Sequence, residues 1–208
     1  MHRTPATVLG VLVITLLGMG CASGPRPIAW DRLPFPKDSD WPGPKGAAAT
    51  IAQEELVLQA QDVRTQRSYS APLTLECEAH PDNTNAPNTW LQVKFVPVGE
   101  PPDAEPKQMT VVVMGNRNAP PSGDQDVVFI TRRTGASSKE IWGEQAFAIK
   151  TGEPYRLRCE VLPDRIRITI NDQTFDATGA TVDYKEFYIQ LDGWQPPNRW
   201  HVRNLLIH

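Results

Sequence analysis

Apolar and polar residues alternate along much of the chain from residue 55 onward, and this pattern predicts β-strands that bury one face. The alternation is clearest in segments 73–79, 155–161 and 165–170. Other short apolar stretches predict strands at 55–60, 90–96, 109–114, 126–131, 173–176, 187–191 and 200–207. No segment convincingly predicts a helix. The pattern therefore predicts an all-β domain of about ten or eleven strands, a sandwich or barrel with antiparallel connections.

Proline, glycine and asparagine interrupt the pattern between the strands, which predicts loops there. The predicted loops include 80–89, 99–106, 115–125 and, for most of its length, 132–145, which contains Trp142. Asn171 and Asp172 tolerate the left-handed backbone conformation that a tight turn requires, so they predict a hairpin between 165–170 and 173–176.

The first twenty residues differ from the rest of the chain. A charged start at Arg3 precedes an apolar run from Val8 to Leu17. That run is shorter than the about 20 residues of a membrane-spanning helix and is typical of the core of a signal peptide. The small residues that lead to Cys21 resemble the lipobox of bacterial lipoproteins. We interpret 1–20 as a lipoprotein signal peptide cleaved before Cys21; the alternatives are an ordinary secretory signal and an uncleaved anchor.

Lipidation of Cys21 would attach this exported protein to a membrane. Several palmitate-like chains hold a protein stably, since each buried CH₂ contributes about 0.8 kcal/mol. Ala22, in place of aspartate, resembles the sorting signal for the outer membrane of the cell envelope. Residues 21–47 are rich in proline and predict an extended tether, onto which Trp30, Phe35 and Trp41 are expected to add packing contacts. Residues 48–208 then form the folded domain.

Charge and cysteine content narrow the classes of function. The net charge of −3 and the lack of a dense Lys/Arg patch argue against a nucleic-acid partner. If Cys21 is lipidated, Cys77 and Cys159 remain as an even pair in an oxidising compartment. Both occupy the inward phase of alternating strands, so both are expected in the core.

The order of the segments resembles a known family. Leu56–Glu76, the hairpin Ile166–Phe175, the strand Phe187–Leu191 and the final Val202–Ile207, with its Arg203-Asn204 step, are similar to a concanavalin A-like lectin/glucanase jelly roll. Within that fold, the 3-keto-disaccharide hydrolase domain family is the closest match. The resemblance covers about 50–208 and implies a jelly-roll sandwich with a role on glycans. Two of the family's polar strands have no counterpart, so no catalytic residue carries over.

A second resemblance concerns the cysteines. Pentraxins, which share this general jelly roll, join two comparable strands by one disulfide. That resemblance implies a bridge between Cys77 and Cys159, which would stabilise the fold by about 4–5 kcal/mol in the chain-entropy picture. Two buried free thiols are the alternative, because cysteine often serves as a small core residue.

Catalytic and metal-binding patterns are weak. No strand carries the acid triplet of retaining glycosidases on this fold, and Glu76 and Glu78 are predicted to lie on a solvated face. His80 and His201 lack ligand spacing, and no phosphate-binding loop is present. The sequence therefore predicts no metal or cofactor and favours a protein that is not an enzyme.

One loop combines aromatic and polar residues as sugar sites do. Asp192, Trp194, Gln195 and Asn198 precede the last strand, and Trp142 lies in another predicted loop. Loops on rigid scaffolds often carry function; packing of the tryptophans is the alternative. We predict a membrane-tethered, non-catalytic β-sandwich that binds a polysaccharide or other glycan. A glycoside-acting enzyme of the 3-keto-disaccharide hydrolase type and a structural or interaction lipoprotein remain alternatives.

Overall fold

The computed structural model describes residues 30–32, 50–51, 55–58, 62–82, 89–101, 105–119, 123–145, 153–194 and 199–208. These residues contain fourteen β-strands and no helix. In particular, no described helix is long and apolar enough to cross a membrane. The strands form two antiparallel sheets, which confirms the predicted sandwich.

The strands are numbered in chain order. They are β1 (Trp30–Arg32), β2 (Thr50–Ile51), β3 (Glu55–Leu58), β4 (Val63–Thr65), β5 (Leu73–Pro81), β6 (Trp90–Pro97), β7 (Gln108–Ala119), β8 (Gly123–Thr134), β9 (Ser137–Gln145), β10 (Tyr155–Val161), β11 (Arg165–Ile170), β12 (Gln173–Thr178), β13 (Phe187–Trp194) and β14 (Trp200–Ile207). Sheet A has the order β1-β4-β13-β6-β7-β8-β9, and sheet B the order β12-β11-β10-β5-β14-β3-β2. Because β13 lies between β4 and β6, it joins segments far apart in sequence.

One face of each sheet contributes to a shared apolar core, as the alternation predicts. Burying each such Leu, Ile or Phe contributes about 1.5–3 kcal/mol. The rings of Phe95 and Phe187, both fully buried, meet edge to face with centroids 5.4 Å apart. On β5 and β11 every second residue is buried, namely Leu73, Leu75, Cys77, Ala79 and Pro81, and Ile166, Ile168 and Ile170.

Two predicted loops are wrong. Segment 115–125 consists mostly of the ends of β7 and β8, which form a hairpin, and segment 132–145 consists mostly of the end of β8 and all of β9. These ends lack an apolar alternation, so the sequence pattern missed them. The β7–β8 ladder nevertheless pairs without interruption from Gln108 with Thr134 to Ala119 with Gly123. Backbone hydrogen bonds extend this hairpin past the part that a buried face would reveal.

The predicted β11–β12 hairpin is confirmed. Asn171 adopts a positive φ of 53°, the left-handed conformation that asparagine tolerates. Its backbone N–H donates to the carbonyl of Arg156 at 2.8 Å, and its Oδ1 accepts from the Arg156 N–H at 3.0 Å. The turn is thereby fastened to the adjacent strand β10.

Both remaining cysteines are in the core, as predicted, but the predicted disulfide is not formed. Cys77 and Cys159 are free thiols, and burial raises the pKa of each to about 12. The register pairs Cys77 with Leu157 and Cys159 with Leu75, so the two cysteines are diagonal neighbours. Diagonal positions are about 7–8 Å apart, farther than the usual Cα separation in a disulfide.

The predicted signal peptide and the lipidation site Cys21 lie outside the described residues. Within the predicted tether, residues 30–32 form β1 and pair with β4 at one edge of sheet A. Residues 50–51 form β2 at the corresponding edge of sheet B, beside β3.

Candidate functional site

Each sheet has a second face that points away from the core. On sheet B this face carries arginines and acids paired across neighbouring strands. Arg158 Nη1 lies 2.8 Å from Glu76 Oε1, and Arg203 Nε lies 2.8 Å from Glu78 Oε2. Such solvated pairs contribute at most about 1 kcal/mol each. Glu76 and Glu78 therefore lie on a partly solvated surface, each paired with an arginine.

The two histidines that showed no ligand spacing meet on this face. The register places His80 on β5 directly opposite His201 on β14, and their rings stack with centroids 4.8 Å apart. Nδ1 of His201 lies 3.3 Å from Glu55, and Nε2 lies 2.8 Å from Asp82, although the latter approach lacks hydrogen-bond geometry. Burial, followed by the charge of His201, lowers the pKa of His80. Across the described ranges, no three His, Cys, Asp or Glu side chains form a group that could hold a metal.

The outward face of sheet A differs, because much of it is buried. On β7 and β8 it carries an apolar cluster separate from the core between the sheets: Val111, Val113, Val127 and Phe129, with Trp90 and Met109 packed against them. The rings of Trp90 and Phe129 meet edge to face with centroids 5.9 Å apart. This half of the face follows the usual rule that buried positions are apolar.

The other half of the same face, on β4, β13 and β6, is polar. Its residues, termed here the polar patch, are Arg64, Lys94, Tyr188, Gln190 and Asp192 on these strands, together with Asp62, which immediately precedes β4. Gln190 on β13 is paired with Arg64 on one side and with Lys94 on the other. These three residues therefore form a row across three strands, with Gln190 at its centre.

Lys94 lies between two carboxylates. Its Nζ donates to both carboxylate oxygens of Asp62 at 2.9 Å and to Oδ2 of Asp192 at 3.2 Å. Lys94 is 8% exposed and Asp192 only 3%, so this cluster is largely removed from water. Three donors of one ammonium group are thus directed to two acids.

The charges in this cluster do not cancel completely. Burial by itself lowers the pKa of Lys94, but the charges of Asp192 and Asp62 outweigh it and raise the pKa overall. Burial raises the pKa of Asp192 to about 6; Lys94 opposes this shift, and the charge of Asp62 adds to it. One cation cannot neutralise two carboxylates, so ionisation of the buried Asp192 is unfavourable.

Two polar atoms of the patch are buried without a hydrogen-bond partner in the described part of the chain. They are Oε1 of Gln190, a residue only 1% exposed, and Nε of Arg64. The guanidinium carbon of Arg64 lies 4.6 Å from the centre of the Tyr188 ring, within the range of a cation–π interaction. A buried acceptor and a buried donor therefore remain unsatisfied on neighbouring strands, which is unusual in a folded protein.

The structure changes the predicted sugar-binding loop. Asp192 and Trp194 lie on β13 itself, because that strand continues to residue 194. The register places Trp194 opposite Trp90 at this end of sheet A. The side chain of Trp194 and the residues Gln195 and Asn198 lie outside the described residues, so of this cluster only Asp192 is placed in the polar patch.

Trp142 lies apart from the polar patch. It lies on β9, paired with the core residue Ile130, and its ring contacts Phe175 of the opposite sheet with centroids 6.3 Å apart. Asp192 points to the other face of sheet A. Trp142 is therefore partly buried against the core between the sheets, which is the packing alternative, and its role as a ligand contact stays a prediction.

The sequence analysis missed most of the polar patch. Lys94, between Val93 and Phe95, occupies an ordinary polar position of an alternating strand, so the pattern did not mark it. Its partners Asp62 and Asp192 are 32 and 98 residues away, so no local spacing connects them.

Comparisons with known proteins agree with this architecture. No family model matches the chain, and no curated protein matches its sequence. Among solved structures, it is similar to the carbohydrate binding module CBM66 from Bacillus subtilis, with 15% identity over 86% of this chain and 94% of that one and a TM-score of 0.57. It is also similar to the exoplasmic/lumenal domain of VIP36 in a Ca²⁺/Man-bound form, with 8% identity over 86% and 82% and a TM-score of 0.62.

A third similar structure is the legume lectin-like domain from Entamoeba histolytica, with 12% identity over 86% of this chain and 89% of that one and a TM-score of 0.57. At these identities the likeness concerns the fold. The fold defines the class: this chain forms a lectin-like jelly-roll β-sandwich, as its resemblance to concanavalin A-like domains implied.

Proposed function

We propose that this protein binds a glycan at the polar patch without catalysing a reaction. The observation that carries the proposal is the burial of Lys94, Gln190 and Asp192 on a face that points away from the core. Burying such groups costs free energy unless they are fully paired. A face that only had to be covered would favour apolar residues, as β7 and β8 do. Binding of a ligand through polar contacts and an aromatic ring, here that of Tyr188, explains why polar residues occupy these positions.

The similar structures support this proposal. CBM66 is a carbohydrate binding module, and the VIP36 domain was solved in a Man-bound form. Because one fold hosts many functions, the likeness by itself does not identify a ligand. The polar patch adds the hydrogen-bonding side chains and the aromatic ring through which a glycan could bind.

Binding of soluble polysaccharides by the purified full-length chain tests the proposal. We expect affinity electrophoresis to show retention by at least one neutral polysaccharide, and Tyr188→Ala to weaken it at least tenfold. Arg158→Ala, on the solvated face of sheet B, is the matched control and should bind as the wild type does. The proposal is wrong if no polysaccharide is retained, or if R158A weakens binding as much as Y188A.

We also propose that a lipid on Cys21 tethers this domain to a membrane of a bacterial cell envelope, the outer membrane in the simplest case. β1 begins at Trp30, nine residues after Cys21, and this length of chain spans at most about 30 Å. The edge of sheet A would then lie close to the bilayer. Labelled palmitate should enter the wild type and Ser23→Ala but not Cys21→Ser; equal labelling of C21S would exclude the anchor.

A second candidate is hydrolysis of a glycoside, as the resemblance to the 3-keto-disaccharide hydrolase family implies. The observation that favours it is the meeting of two acids, Asp62 and Asp192, at Lys94. Two carboxyl groups at one site can serve as acid and base, and burial raises the pKa of Asp192 to about 6. If the pair is catalytic, 3-keto-glycosides are hydrolysed, and Asp192→Asn reduces turnover at least about 100-fold. Wild-type protein without turnover would leave only the binding role.

A further inference from the structure

We propose that Arg64 and Gln190, two neighbours in the row that Lys94 completes, recognise two neighbouring hydroxyl groups of an uncharged sugar. This inference rests on the proposed glycan binding and names the chemistry of the ligand at that site. Its basis is the unsatisfied acceptor Oε1 of Gln190 and the unsatisfied donor Nε of Arg64. Both belong to residues that the β4–β13 register places directly opposite each other.

The two unsatisfied atoms do not bond to each other. The Arg64 guanidinium lies over the ring of Tyr188, two residues from Gln190 along β13, with 4.6 Å between the guanidinium carbon and the ring centre. On the other side of Gln190, Lys94 directs its Nζ to Asp62 and Asp192. The side chains on both flanks of Gln190 are therefore engaged elsewhere, and neither supplies the donor that its buried Oε1 lacks.

A hydroxyl group suits this arrangement because it both donates and accepts. One hydroxyl of a sugar can donate to Oε1 of Gln190 while its neighbour accepts from Nε of Arg64. Directly opposed residues of a sheet have Cβ atoms about 5 Å apart, so one sugar ring can span the side chains of Gln190 and Arg64. An apolar ligand would leave both atoms unsatisfied, and a ligand that only accepts would leave Gln190 without a partner.

The charges around the row select an uncharged ligand. The positive charge of Lys94 is already directed to two carboxylates, so it is not available to an acidic sugar. A carboxylate on the ligand would also approach Asp192, which burial already makes difficult to ionise. Arg64 alone would have to compensate both the ligand's charge and its loss of water.

Leucine at position 190 gives a direct test, because it keeps much of the volume and removes the unsatisfied acceptor. We expect Gln190→Leu and Arg64→Met to weaken binding of the full-length chain to the neutral probes dextran, yeast mannan and galactan at least tenfold. The melting temperature of Q190L should be no lower than that of the wild type. Gln173→Leu, at an exposed position on β12, is the matched control and should change neither quantity.

The outcomes separate this inference from the function on which it rests. Neutral probes that bind Q190L and R64M as tightly as the wild type would overturn the hydroxyl site and leave glycan binding intact. Tighter binding of polygalacturonate than of the neutral probes would overturn the inferred preference for uncharged sugars. A large loss of melting temperature in Q190L would show that Gln190 is structural. Wild-type protein that binds none of the four polysaccharides would refute both proposals.

Discussion

Replacing Lys94 by methionine should destabilise the protein strongly at neutral and higher pH. Methionine keeps most of the apolar stem but removes the ammonium group that lies between Asp62 and Asp192. Asp192, 3% exposed, then loses its only cationic hydrogen-bond partner in the described part of the chain. Removing one member of a buried ion pair typically costs about 3–5 kcal/mol, because the remaining charge stays buried without compensation.

The cost should depend on pH in a defined direction. The pKa of Asp192 is raised from 3.8 to about 6 in the folded protein, so its ionisation reduces stability as the pH rises from about 4 through 6. Without Lys94 the folded-state pKa rises further, and the loss extends to higher pH. At pH 5 the variant's Asp192 is protonated and neutral, so the deficit should be smaller than at pH 8. Lys94 itself remains protonated throughout this range.

Urea unfolding followed by tryptophan fluorescence measures this free energy of unfolding at pH 5 and pH 8. Arg158→Met is the matched control, since Arg158 loses only solvated partners and should cost at most about 1 kcal/mol at either pH. A K94M deficit no larger than that of R158M, or one equal at both pH values, would show that the buried charges are not the cause.

Three further predictions follow from buried groups. Asp192→Asn should raise the free energy of unfolding at pH 8 by up to about 3 kcal/mol, because it removes the unfavourable ionisation, and the gain should vanish in urea titrations below pH 4. Cys77 and Cys159, with pKa values of about 12, should resist iodoacetamide in the folded protein at pH 8. In urea without reductant, both should react, as measured by mass spectrometry. No reaction in urea would indicate that the two cysteines form a disulfide. Gly115→Ala should cost more than about 2 kcal/mol in urea unfolding, because the added Cβ would meet the Thr89 carbonyl oxygen. Gly135→Ala, with open space at a positive φ, should cost about 1 kcal/mol. Equal costs would contradict the steric argument.

Part of the candidate site could be predicted from the sequence, and part could not. Asp192 was singled out because it stands beside tryptophan and other polar residues. Trp142 satisfied the same criterion, yet β9 directs it into the core, where it contacts Phe175. The two residues lie on opposite faces of sheet A, and the face depends on where each strand begins and how it pairs. Because 132–145 was predicted as a loop, the sequence did not show which face Trp142 would occupy.

The sequence by itself determined the fold class. Alternation is a local property, since successive side chains of a strand point to opposite faces, and it persists wherever one face is buried. The alternation in segments such as 73–79 and 165–170 therefore predicted both the strands and the residues that they bury, including Cys77. The turn at Asn171 could also be predicted, because its chemistry lies within adjacent residues.

Only the tertiary structure decided which residues meet. Placing β13 between β4 and β6 brings Gln190 beside both Arg64 and Lys94, and pairing β5 with β14 stacks His80 on His201. The same register sets Cys77 diagonal to Cys159. These outcomes depend on strand order and register, which are fixed by packing and backbone pairing over the whole domain and leave no spacing in the sequence from which they could be read.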